Sequence, residues 1–403
     1  MTRFINHNGK KTAVINMFID PENGFLNPML KPEQGGSLYV PNGEQVAPLM
    51  GDIISQTSNG IFVIGQDYHP ANHISFAANH PGVMEYRIGK YKNLLAAEGQ
   101  NVPANDADLY LSAQQPVHFF NGFDKPPAFF PFEEIVLDGD RNIIGLKEED
   151  GRIRNVEVET TSGLAPSPKD RGRVSKVLDT YFDKTFDEMR ASGQQVSTQT
   201  LWTEHCIQGT ESCKYPDAMK LPEGLTRKLY GDMMSKSIYH RDAASGNEFH
   251  VIRKGNRSEV DSYGIGVEND GETMTPAWEV FRDIASKLKS EGCEQVIVNV
   301  GGLASNFCVE FSANNMADFL AGHFKMRGMD AEVNYVPEIS RGIPIPGGAE
   351  VPFSEAGAPV RMQQTRGIRS VSLAEVLDQQ KPGKRSSGVL QLAGGRDQQV
   401  AVG

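Results

Sequence analysis

Three residues in this 403-residue chain have the chemistry of acyl transfer. Cys308, in "GGLASNFCVEFSA", follows an apolar run and a Gly-Gly turn and begins an apolar-periodic segment. That places its sulfur near a helix N-terminus, where unpaired N–H groups and the helix dipole favour a thiolate. The same N–H groups suit the oxyanion of an attacked carbonyl. Lys254 closes the run "HVIRK", and beside a cysteine its charge would lower the thiol pKa. Asp20, in "FIDPENGF", has the chemistry of a general base that takes the thiol proton and later returns it to a leaving group. Taken singly, each has an ordinary structural role: a packed cysteine, a solvated strand-end lysine, a turn aspartate before Pro21.

A second group suits a metal. In "IFVIGQDYHPANHISF", Asp67 and His69 stand two apart on extended backbone and face one side. Carboxylate and imidazole are ligands for divalent transition metals. Two ligands are too few, and His205 in "LWTEHCIQGT" offers a third. Three ligands with positions left for water describe a catalytic site and not a closed structural one. Zinc, manganese or iron all accept this set, zinc first among them. His73, in the same stretch as Asp67, is a further imidazole whose role the spacing leaves open.

These residues need elements to position them. Five apolar runs read as buried strands: "TAVINMFID", "GIFVIGQD", "FHVIRKG", "EQVIVNVGGL" and "AEVNYVPEIS". Between the third and fourth, Trp278, Phe281, Ile284 and Leu288 recur at helical spacing after Thr275-Pro276. Between the fourth and fifth, "SNFCVEFSANNMADFLAGHF" also reads as helix. Strand, helix, strand in alternation implies an α/β fold with a mostly parallel sheet. Asp20, Asp67, Lys254 and Cys308 each lie just past a strand end. Ligands of open α/β sheets bind there, so residues far apart in sequence are expected to converge.

Two regions break the rhythm. Residues 87–199 read as an insertion with some structure of its own, including an amphipathic helix at "VSKVLDTYFDKTFDEMRASG". Residues 379–403, rich in Gly, Gln and charge, read as a mobile tail. Residues 1–86 and 200–378 are then expected to form one domain.

Bulk composition narrows the classes. A net charge of −11 argues against nonspecific nucleic-acid binding, which needs clustered Lys and Arg. No run of 18 apolar residues suggests a membrane helix, and the N-terminal apolar run reads as a strand and not as a signal peptide. The four cysteines follow no zinc-finger spacing and are too few for a disulfide scaffold, so a reducing cytoplasm is the simplest setting.

Taken in order, the motifs resemble the nicotinamidase (pyrazinamidase-like) branch of the isochorismatase-like cysteine hydrolases. "AVINMFIDPENGFL" looks like the first strand of that family and its Asp-x-x-Asn-x-Phe segment, and "GQDYHPANHISFAANHPG" is very similar to its metal segment. "LWTEHCIQGT", "VIRKGNRSEVDSYG" and "GGLASNFCVEFSA" resemble the third-ligand, lysine and nucleophile segments. The resemblance spans Lys11 to Val83 and Thr200 to Leu377.

It implies a three-layer isochorismatase-like fold, its parallel sheet flanked by helices and interrupted by the insertion. It implies a Cys308 nucleophile, an Asp20 base, an orienting Lys254, and one divalent metal on Asp67, His69 and His205. It further implies an oxyanion hole from the N–H groups of Ala304 and Cys308, a cis peptide before Ala304, and a substrate pocket lined by Phe25, Trp202 and Tyr263. His73 is expected to support the ligands without being one. The implied reaction converts nicotinamide, a small-molecule amide partner, to nicotinate and ammonia within NAD salvage. Self-association is left open. Rival readings are a carbamoyl or ureido amidase of the same superfamily, and a non-catalytic binding protein on the same fold. The chain departs from the family at Glu22 and Gly24, where Gln and Asp are usual, at "GTES" (Gly209 to Ser212) in place of "GTPG", and at "GIG" after Tyr263 in place of Ser-x-Phe. These departures are expected to reshape the pocket.

Overall fold

A strand buried on both faces needs apolar side chains on both, and the five runs above supply them. The computed structural model describes residues 2–73, 75–79, 88–89, 92–93, 95–97, 99–105, 134–137, 143–147, 153–155, 202–258, 260–269, 273–344 and 354–380. The strands are β1 (Ile5–His7), β2 (Lys10–Ile19), β3 (Ile61–Asp67), β4 (Glu134–Leu137), β5 (Ile143–Lys147), β6 (Ile153–Asn155), β7 (Ser237–Arg241), β8 (Glu248–Lys254), β9 (Gln295–Leu303), β10 (Asp330–Arg341) and β11 (Arg369–Ser370). The helices are α1 (Asn23–Leu26), α2 (Val46–Gln56), α3 (Glu223–Gly231), α4 (Ala277–Ser290), α5 (Glu310–Phe319), α6 (Ala358–Arg366) and α7 (Leu373–Gln379).

The main sheet runs β11-β10-β9-β2-β3-β8-β7, with β1 paired to β2. All pairings are parallel except β1 with β2 and β7 with β8. The α/β fold with a mostly parallel sheet flanked by helices is therefore as expected. The two antiparallel strands were not anticipated, because β1 and β7 are short and partly exposed and lack a continuous apolar run.

From the central pair β2 and β9 the chain winds outward in opposite directions. Strand β2 crosses through α2 to β3, and β9 crosses through α5 to β10. Right-handed crossovers then put α2 on one face and α5 on the other. The crevice beyond the carboxyl ends of β2 and β9 is the switch point, where α/β sheets hold ligands. Helix α4 packs on α5, with the rings of Trp278 and Phe281 5.3 and 5.7 Å from that of Phe319. Within the sheet, Phe62 of β3 stacks on Phe249 of β8 at 5.1 Å, both fully buried. Truncating such a ring to alanine costs about 3–5 kcal/mol.

Strands β4, β5 and β6 form a separate antiparallel sheet inside the insertion. The helix expected over 174–193 lies outside the described residues, as does the tail from 381. Helix α7 runs to Gln379 and starts with a reciprocal Ser372–Glu375 capping box, so ordered structure continues to the edge of the expected tail. Among the described residues no helix is long and apolar enough to cross a membrane.

Candidate active site

Strand register sets the first contact. Asp67 and Lys254 are partners at the ends of the parallel pair β3–β8, so their side chains emerge together. Lys254 Nζ lies 2.8 Å from Asp67 Oδ1 and 2.8 Å from Asp20 Oδ2. It also donates to the Ser262 carbonyl at 3.0 Å and stands 3.6 Å from Cys308 Sγ. Asp20 directly follows β2 and has a left-handed backbone, φ 50°. All four residues are buried.

Burial on that scale moves protons. Desolvation raises the Asp20 carboxyl to about 7 against the opposing pull of Lys254. Burial also works against the Asp67 carboxylate, but His69 and Lys254 outweigh it and hold the group well below its usual range. The Lys254 ammonium is disfavoured by burial, yet Asp20 and Asp67 push its pKa well above normal. Glu22 accepts the Asp67 N–H at 2.8 Å, and burial followed by the charges of Asp20 and Asp67 drives its carboxyl well above the usual range.

Next to Asp67 stand two imidazoles. His69 Nδ1 donates to the Gly255 carbonyl at 2.9 Å, and His205 Nδ1 donates to the Thr203 carbonyl at 2.7 Å. Each ring is thereby oriented with Nε2 toward Asp67 Oδ2, at 3.0 Å for His69 and 3.3 Å for His205. Ring orientation by a backbone acceptor is typical of metal-binding histidines. Asp67, His69 and His205 bring three ligand atoms within 4.8 Å of one another. His73 differs. Its Nε2 donates to the Val260 carbonyl at 3.1 Å, its Nδ1 pairs with the Ser75 hydroxyl at 2.6 Å, and its ring lies 4.2 Å from that of His69. Both of its nitrogens are engaged within the protein. His69, His73 and Asp261 also cluster within the same limit.

The nucleophile segment departs from one expectation. Cys308 sits in a π-helical turn, Ser305–Val309, and α5 begins two residues later at Glu310. The turn follows a cis peptide at Leu303–Ala304. Burial pushes the thiol pKa well above normal, and the nearby Lys254 only partly offsets this. Asp20 also acts on this thiol and raises its pKa further.

A cavity opens over Cys308, and its lining includes Phe25, Trp202, Tyr263, Ala304, Asp67, His69, His205 and Lys254. Every residue assigned to catalysis, metal or pocket from sequence, apart from Asp20 beneath Lys254 and His73 behind His69, faces this one space. Phe307, Leu38, Asp261, Ser262 and Ile343 line it too and were not foreseen. Phe307 meets Trp202 edge-on at 5.0 Å and Tyr263 at 5.7 Å. Its place beside the nucleophile was the available signal, but a π turn changes which neighbour shares the face of Cys308. The departures at Glu22, Gly24, Gly209 to Ser212 and Gly264 to Gly266 are not among the residues that line the cavity.

No protein-family model matches the chain. Over 295 residues the chain is 30% identical to the nicotinamidase of Acinetobacter baylyi, covering 73% of this chain and 70% of that protein. Over 83 residues it is 32% identical to the nicotinamidase of Saccharomyces cerevisiae, covering 20% of this chain and 34% of that one. The solved structure of an Acinetobacter baumanii nicotinamidase/pyrazinamidase is 21% identical, with a TM-score of 0.44 over 90% of this chain and 97% of that chain.

Proposed function

This chain belongs to the nicotinamidase family, hydrolases of a carboxamide C–N bond, and from that premise we propose that it converts nicotinamide to nicotinate and ammonia through a thioester on Cys308. The observation that carries the reading is the Lys254 ammonium, which touches the base, the nucleophile and the metal-facing carboxylate at once.

The pyridine ring packs among Phe25, Trp202, Tyr263 and Phe307, with its carboxamide over Cys308. Asp20 takes the Cys308 proton as sulfur attacks the carbonyl carbon. Lys254 holds Asp20 in place, and its charge favours the sulfur anion as it forms. The carbonyl oxygen becomes an oxyanion facing the N–H groups of Ala304 and Cys308. Asp20 gives its proton to the departing nitrogen, the C–N bond breaks, and ammonia leaves a thioester. Asp20 then takes a proton from water, which attacks the thioester carbon. The C–S bond breaks, and the proton returns to sulfur.

Asp67, His69 and His205 fit a divalent metal. Each imidazole is held through Nδ1 by a backbone carbonyl, which turns both Nε2 atoms toward the same Asp67 carboxylate oxygen. A metal held there supplies a Lewis-acidic centre for a substrate nitrogen or a water. His73 acts as a support for His69. Zinc is the first expectation, and manganese or iron suit the same atoms. All four cysteines are unpaired and buried, which supports a reducing, cytoplasmic setting; a place in NAD salvage follows only from the proposed substrate. Residues 1–86 and 200–378 carry this chemistry; 87–199 is assigned as an insertion outside it.

Ammonia release from nicotinamide, pyrazinamide and a ureido amide, compared side by side, tests the substrate. The proposal expects the two heteroaromatic carboxamides to turn over well ahead of the ureido compound. The reverse order would assign the site to ureido or carbamoyl hydrolysis, and no turnover of any would favour a binding role.

A further inference from the structure

Two of the sequence departures, Gly24 and Ser212, turn out to touch. A Cβ placed on Gly24 would stand 2.5 Å from Ser212 Oγ and 2.7 Å from Cys206 Sγ, closer than real side chains approach. The space a residue at 24 would otherwise fill is taken by this serine and cysteine. Ser212 is fully buried. Its hydroxyl accepts the Cys206 N–H at 2.7 Å and donates to the Gly36 carbonyl at 2.8 Å. Its backbone is tied as well: its N–H donates to Gln34 O at 2.9 Å, and its carbonyl accepts from Gly24 N–H at 2.8 Å.

Cys206 directly follows His205. Its backbone is left-handed, φ 46°, a conformation a non-glycine residue holds only when its surroundings impose it. Its carbonyl accepts the His69 N–H at 3.0 Å. Cys206 therefore joins the two histidines of the candidate metal set: it follows His205, its carbonyl holds the His69 N–H, and its own N–H is held by the Ser212 hydroxyl. The loop carrying His205 has no helix or strand of its own there, so this bracket substitutes for regular structure.

We propose that Ser212, made room for by Gly24, is a positioning residue for His205 and so for metal retention. The proposal rests on the metal reading of Asp67, His69 and His205. Without the hydroxyl, the Cys206 N–H and the Gly36 carbonyl lose their buried partner, and the left-handed turn loses its restraint. Groups that orient metal ligands change metal affinity by about 10–100-fold when removed.

The test is zinc affinity, measured on the full chain by competition with a chromogenic chelator, for wild type, Ser212→Ala, Cys206→Ala, Gly24→Ala and His205→Ala. Ser212→Ala is expected to bind zinc about 10–100-fold more weakly and to recover kcat in excess zinc with KM for the amide unchanged. Gly24→Ala, which pushes on the same bracket from the other side, should weaken zinc in the same direction. It also serves if Ser212→Ala does not fold. Cys206→Ala keeps the N–H and the backbone and should retain zinc. Wild-type zinc affinity in Ser212→Ala or Gly24→Ala, with His205→Ala impaired, overturns the proposal. So does a loss in Cys206→Ala as large as in Ser212→Ala, which would make the effect one of loop packing. Unchanged zinc affinity in His205→Ala would instead remove the metal reading on which the proposal stands.

Discussion

Asp67 and Lys254 are register partners on adjacent parallel strands, and the lysine ammonium lies 2.8 Å from the carboxylate. Because the same ammonium reaches Asp20 at 2.8 Å, one charge joins the carboxylate proposed as the base to the carboxylate proposed as a metal ligand.

Lys254→Met should therefore act on both carboxylates. It leaves two buried carboxylates without their counter-ion, a loss of roughly 3–5 kcal/mol when one partner of a buried pair is removed. Turnover should fall about 10²-fold or more, on the scale of lost proton-transfer catalysis. Denaturant unfolding and ammonia release check the two effects separately. A variant with wild-type stability and turnover would show that the lysine is a bystander.

The acid limb of activity should report Asp20. Burial raises its carboxyl to about 7, so the base form fills only as pH climbs through that value. Below it, kcat/KM should drop about tenfold per pH unit, since only the ionised form can accept the thiol proton. A pH profile of wild type shows this directly, and Asp20→Asn should be inactive throughout. An activity that stays level as pH falls well below 7 contradicts the assignment.

Metal removal should silence the enzyme reversibly. After prolonged chelation, turnover is expected to disappear and to return with added zinc or manganese. His205→Ala should not recover under the same additions. Metal analysis before and after accompanies the assay, and full activity in the stripped protein would take the metal out of the mechanism.

Phe307 is expected to set the pocket's aromatic wall. It contacts both Trp202 and Tyr263 edge-on, and such ring pairs contribute about 0.5–1.5 kcal/mol beyond their buried area. Phe307→Ala should raise KM for nicotinamide by roughly tenfold, with Phe307→Tyr close to wild type. An unchanged KM in the alanine variant would place the substrate elsewhere.

Much of this site is legible in the sequence because its residues end buried strands. The runs into Asp20, Asp67 and Lys254 are mostly apolar, so their ends can be located to within a few residues, and topology does the rest. Cys308 is harder. Its segment is helical as expected, but a π turn delays α5 to Glu310, and burial pushes the thiol pKa up against the pull of Lys254. Phe307 escapes a sequence reading because its direction depends on that turn. The Gly24–Ser212 contact is out of reach for a different reason. Gly24 lies in the four-residue α1, too short to show a period, and Ser212 lies in a loop, so their meeting depends on how the two segments pack beyond the sheet. Strand β7 is hidden because its exposure alternates along a short edge, which gives a weak pattern.

The central claim is that Cys308 carries the acyl group. Its most direct test is intact-protein mass spectrometry of acid-quenched mixtures with nicotinamide, run on wild type and Cys308→Ala. The account predicts a nicotinoyl adduct on wild type that maps to Cys308, and neither adduct nor ammonia from the alanine variant. Ammonia released by Cys308→Ala at the wild-type rate would contradict it.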